Sequence, residues 1–157
     1  MGAPEADMLT VVDVSEAETP TLVASVVLQD PMGVATSRDS EHVFVVGRAS
    51  RSLSVVDVED PSSPAVVGVL VDDEHLNFAW GVALSLDGQY AYVTGSRSNS
   101  LVAVDVGTDA ANPKKIGSVT DSTNGSRWFT VHQNDPEFHC AHCAVTQRRR
   151  RDLRYRR

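Results

Sequence analysis

Cysteine is almost missing from this chain of 157 residues: only Cys140 and Cys143 are present, both close to the C-terminus. A disulfide framework for the preceding residues is therefore excluded. Aromatic residues make up only 6%, and no apolar run approaches the ~20 residues a membrane helix needs, which excludes a membrane partner of that kind. The opening stretch, MGAPEADM, has no basic residue after the initiator and no apolar centre, so it does not read as a secretory signal. Ala6 stands where N-myristoylation requires Ser or Thr. Basic residues are scarce until the end: residues 1–147 hold 7 bases against 20 acids, a net of −13, whereas the last ten residues carry +6. An acidic body repels phosphate, which argues against nucleic acid as the partner. Also missing is any stretch of the body with a 3.6-residue apolar period and helix caps, which points to an all-β fold.

What is present is repetition. Residues 33–58 read GVATSRDSEHVFVVGRASRSLSVVDV, and residues 81–106 read GVALSLDGQYAYVTGSRSNSLVAVDV. Thirteen positions, among them Gly33, Ala35, Asp39, Gly47, Ser52, Leu53 and Asp57, recur 48 residues later. The phrase LSVVDV at Leu53 has relatives in LTVVDV at Leu9 and LVAVDV at Leu101, at spacings of 44 and 48 residues. Each is followed by a proline-bearing linker and then another strand-like run: TLVASVV, AVVGVLV and KKIGSVT. Near-continuous valine suits strands covered on both faces. Asp87-Gly88 is a hairpin signal, while the counterpart at Asp39-Ser40 lacks the glycine and predicts a looser turn. The recurrent Asp13, Asp57 and Asp105 close strands ahead of linkers, where an Asp accepts hydrogen bonds from its own downstream backbone, so a turn role outweighs a ligand role.

LSVVDVEDPSSPAVVGVL, AWGVALSLDGQYAYVTG and SLVAVDV resemble the LVIVD repeat, and are similar to the related YVTN-type propeller repeats, over about residues 8–121. The resemblance implies a β-propeller of four-stranded antiparallel blades, found largely in surface or exported proteins, with no catalytic residue to carry over. On this reading residues 1–7 are an N-terminal extension, 8–28 half a blade, 33–71 and 81–120 whole blades. Residues 122–157 are then an irregular, disordered or aberrant basic tail. The fold expected is an incomplete β-propeller of about two and a half blades. A closed propeller needs about four blades or more. An uncovered end face of some 500 Å² would be large for a monomer, and covering it is worth up to about 12 kcal/mol. The missing blades are thus the first partner expected, supplied by a longer chain or by homo-oligomerisation.

The tail carries the metal candidates. Cys140 and Cys143 have the spacing of half a zinc site, with His139, His142 and His132 nearby, but no second pair of ligands follows. Ala144 replaces the histidine that covalent haem attachment would require. No metal or cofactor is therefore assigned. Asp72, Asp73, Glu74 and His75 cluster hard donors without calcium-loop spacing, which favours a solvated acidic loop, and Trp80 is expected between blades. No catalytic constellation recurs with the period. The function expected is a non-enzymatic propeller module, a fragment of a larger surface or exported protein, presenting loops to a protein or glycan. The alternatives are a fragment of a lactonase-like propeller enzyme and a two-blade lectin-like chain that closes a ring by oligomerisation.

Overall fold

Valine and its apolar neighbours determine the layering of the computed structural model, which describes residues 7–121. The strands run β1 (Met8–Asp13), β2 (Thr21–Val27), β3 (Pro31–Thr36), β4 (His42–Gly47), β5 (Ser52–Asp57), β6 (Ala65–Val71), β7 (Ala79–Leu84), β8 (Tyr90–Gly95), β9 (Ser100–Asp105) and β10 (Lys114–Thr120). No helix occurs among the described residues. The strands form a two-stranded sheet, β1–β2, and two four-stranded sheets, β3–β6 and β7–β10, each antiparallel and in sequence order. Strands β3 and β7 approach each other, and β4 also meets β7, so the first strand of each sheet lies at the common inner edge. This is an incomplete β-propeller: two blades preceded by the outer half of another. Trp128 and the metal candidates His132, His139, Cys140 and Cys143 lie outside the described residues, as does the expected tail.

The blades stack through both faces of their middle strands. On β5, Val55 joins the apolar core shared with the β7–β10 blade, while Val56 turns the opposite way and packs near Leu9 and Val26 of the half blade. Adjacent residues of a strand point to opposite faces, so a Val-Val pair serves two interfaces. Phe44, Val46 and Leu53 pack with Ala91, Val93, Val102 and Val104 across the larger interface. Each outer strand also carries a bulge against its partner, at Val23 of β2, Val67 of β6 and Ile116 of β10. Bulges strengthen local twist, and their recurrence gives the three outer strands a common set.

The turn at residues 37–40 departs from expectation. Ser40 adopts φ 67°, close to the 73° of Gly88, so both hairpins take one left-handed residue at the same place. The remaining geometry is shared as well. Ser40 N–H donates to Ser37 O and Gly88 N–H to Ser85 O, at 3.1 and 3.0 Å. Asp39 and Asp87 each accept from a serine hydroxyl and from the backbone two residues on. That side-chain grip holds the turn without glycine.

Leu53 is fully buried, whereas Leu101, its counterpart 48 residues on, is only half-buried. Leu53→Ala should lower unfolding stability by about 2–5 kcal/mol and Leu101→Ala by well under half of that, as read by urea denaturation. Equal losses would mean that the two blades are covered alike.

Candidate functional site

Antiparallel order brings four connections to one end of the blades: β2–β3, β4–β5, β6–β7 and β8–β9. Each of the two hairpins there carries a Ser-x-Ser pair that holds the incoming loop. Ser50 Oγ lies 2.8 Å from Ser52 Oγ and donates to Gln29 O at 3.2 Å. Ser98 and Ser100 are likewise 2.8 Å apart, and both donate to His75 O. Gly47 and Gly95 precede these pairs because a Cβ there would collide with the serine hydroxyl and the captured carbonyl. The signal, Gly-x-x-Ser-x-Ser, was present at 47–52 and 95–100, but its role depends on a loop more than twenty residues away.

The loop so held brings Phe78 within cation–π reach of two arginines. The Arg97 guanidinium carbon lies 3.8 Å from the ring centre and that of Arg48 5.3 Å away. Phe78 has φ 56°, an uncommon conformation for an aromatic residue, and its carbonyl accepts from Ser96 N–H and Oγ at 3.1 and 3.0 Å. Arg48 is neutralised by Asp30, to which its Nε donates at 3.0 Å and its Nη2 at 3.3 Å; Asp30 also accepts from Ala49 N–H. Arg97 is exposed and has no ion pair among the described residues. Nothing in sequence spacing disclosed this stack.

The acidic loop divides in two. Asp73 and Glu74 are solvated, as expected, with side chains 80% and 83% exposed. Asp72 is not: its side chain is 10% exposed and accepts from Lys115 Nζ of the next blade at 2.7 Å, and from His75 N–H at 3.0 Å. Lys115 Nζ also lies 2.8 Å from His75 Nδ1. Burial pushes the Asp72 carboxyl up, but the hydrogen bonds from Lys115 and His75 outweigh it and bring the pKa down to about 2. This is a clasp between blades. Trp80 is 38% exposed beside the buried Ala79 at the start of β7, and its backbone carbonyl faces Gly33 of the preceding blade.

The strand-end aspartates serve turns. Asp13 accepts from Ser15 N–H at 2.8 Å, Asp57 from Glu59 N–H at 2.9 Å, and Asp105 from the N–H and hydroxyl of Thr108. Backbone N–H donors, from Ser15 and Thr108, hold the Asp13 and Asp105 carboxyls below the usual range. At the opposite end of the blades, Asp39, Glu41 and His42 bring one donor atom each within 4.8 Å of one another. Asp39 Oδ1 is already taken by Ser37 Oγ and Glu41 N–H, and exposed carboxylates gather this way without an ion.

Repeating sheets, the Val-Asp-Val phrase and the outer-strand bulges agree with a family match: the LVIVD repeat covers residues 4–27, 43–72 and 79–121, more than half of the chain. The chain belongs to the LVIVD-repeat family. No curated protein matches its sequence. Among solved structures, it is similar to hydrazine synthase of Kuenenia stuttgartiensis, at 26% identity and a TM-score of 0.60, with 75% of this chain and 31% of that one covered. It is similar to the periplasmic gluconolactonase PpgL of Pseudomonas aeruginosa, at 14% identity and a TM-score of 0.61, covering 80% and 40%. A third likeness is the β-propeller domain of Cps50 (Swd1) from Myceliophteria thermophila, at 12% identity and a TM-score of 0.59, covering 78% and 41%. This LVIVD-repeat chain thus spans less than half the length of each, and the last two likenesses, at such identities, speak to fold alone.

The Asp72 clasp has a pH signature. The folded pKa, about 2, lies below the ordinary 3.8, so the clasp stabilises fully above about pH 4 and is lost as pH falls towards 2. Other turn aspartates shift in the same direction, so Asp72→Asn is the comparison that isolates it. The variant should lose less stability than the parent between pH 5 and pH 2.5 in urea melts; parallel losses would remove the clasp from the account.

Proposed function

We propose that this chain is a non-catalytic portion of a larger surface or exported propeller, and that the edge carrying Phe78 presents its loops to a protein or glycan partner with an anionic group. The observation that carries this reading is the stack of Arg97 on Phe78. A guanidinium flattened on an aromatic face keeps its hydrogen-bonding edge open to a carboxylate, sulfate or phosphate. Phe78 holds a strained backbone to stand there, and strain of that kind is found at ligand-contacting positions. Asp30 fixes Arg48 beside the same ring, so the platform is built before a ligand arrives.

The recurrent polar side chains support binding over catalysis. Asp13, Asp57, Asp105 and the two Ser-x-Ser pairs spend their hydrogen bonds on backbone, on each other or, at Asp105, also on the Thr108 hydroxyl. The likeness to a gluconolactonase motivates the competing reading, in which the missing blades complete an enzyme.

Titration of the full chain with acidic peptides and uronic- or sialic-acid glycans, beside neutral controls, separates the two. Binding of the anionic set should weaken with salt and fall at least about tenfold in Arg97→Glu, with the melting midpoint kept and lactone opening at the buffer rate. Binding indifferent to Arg97→Glu, or lactone hydrolysis above the buffer rate, would overturn the proposal.

A further inference from the structure

The two blades are alike in sequence but not in what covers them, and the difference has a direction. The face of β3–β6 that turns towards β7–β10 carries two glycines pressed by the next blade. A Cβ on Gly33 would lie 2.4 Å from Trp80 O, and one on Gly68 would lie 2.7 Å from Ala110 O and 2.9 Å from Ala111 O and Pro113 Cδ. The inner glycine therefore receives the inner strand of the following blade, and the outer glycine receives its proline-bearing linker. Their counterparts, Gly81 and Gly117, occur 48 and 49 residues later. A Cβ on Gly117 would meet nothing within 4 Å, and one on Gly81 would meet only Thr94 of its own sheet, at 3.3 Å.

The apolar positions follow the same rule. Tyr92, Leu101, Ala103, Ile116 and Val119 stand on β8–β10 where Phe44, Leu53, Val55, Val67 and Leu70 stand on β4–β6. Leu53 and Val55 are fully buried where Leu101 and Ala103 are half-buried, and Val67 and Leu70 are half-buried where Ile116 and Val119 are 56% and 61% exposed. The second blade thus repeats the interface of the first, glycines included, with no described residue seated on it.

We propose that this face of β7–β10 docks a complete four-stranded blade of the same repeat, borne on the polypeptide of a longer protein, with its first strand over Gly81 and its proline-bearing linker over Gly117. The inference rests on the reading of the chain as part of a larger propeller. Among the described residues, a second copy fits only half of the interface: its open end is the β1–β2 sheet, which has a linker ending at Pro20 but no inner strand to reach Gly81. The similar propellers leave room for such a blade, since this chain spans only 31–41% of their lengths.

Duplicating residues 73–121 directly after Asp121, in the otherwise intact chain, supplies the proposed occupant. Gly117→Val should shift the thermal midpoint of the natural chain by no more than about 1 °C, but lower that of the lengthened chain by roughly 4–8 °C. Gly68→Val should be costly in both. Equal effects of Gly117→Val in the two chains would overturn the proposal. So would a lengthened chain that fails to fold or melts no higher than the natural one. A second measurement needs no added blade: Ile116→Lys with Val119→Lys should reduce binding of an apolar-surface dye to the natural chain without lowering its midpoint, and unchanged dye binding would contradict the exposed interface. Neither experiment reads ligand binding at Phe78, so failure of the anion-binding proposal would leave these results unmoved.

Discussion

A β-sheet with apolar residues on both faces is stable only between neighbours, and that requirement organises this protein. Strand β5 shows it most plainly, because Val55 and Val56 are both fully buried, in opposite directions, against different sheets. Hydrophobic burial is non-directional in itself. Direction comes from the backbone features set around it: glycines that admit a neighbour's carbonyls on one face, and outer-strand bulges that tilt each blade in the same sense. The blades therefore stack head to tail, and each interface commits the next one.

The polar chemistry is subordinate to the same stacking. Ser-x-Ser pairs capture the loop that leads into each blade, and the Asp72 carboxylate ties that loop to Lys115 on the outer strand beyond it. Clamped loops can then hold conformations that free loops avoid, as at Phe78. The proposed binding edge is in this sense a product of the fold: the arginine stack exists because the backbone beneath it is fixed by two hydrogen bonds from Ser96.

Sheet-level structure was legible in the sequence because it is periodic. The Leu-x-x-Val-Asp-Val phrase marks the third strand of each blade, and Val-rich runs flanked by turn residues mark its neighbours. The turn role of Asp13, Asp57 and Asp105 was legible for the same reason, since it is local. The turn at Ser40 is tighter than its missing glycine predicts, because an aspartate side chain that accepts from the backbone amide two residues on holds the left-handed residue in place. The candidate site was scarcely legible. Arg48, Phe78 and Arg97 are separated by 30 and 19 residues, and Lys115 lies 43 from Asp72, distances over which pairing depends on the assembled blades.

Amide hydrogen exchange along the natural chain tests the stacking account most directly. Protection should peak in β4, β5, β8 and β9, whose apolar residues meet across the main interface, and be weakest in β1, β2 and β10, where exposed valines line uncovered faces. If β1 and β2 exchange as slowly as β5, the end sheets are covered by something other than the blades described, and the account of an open stack is wrong.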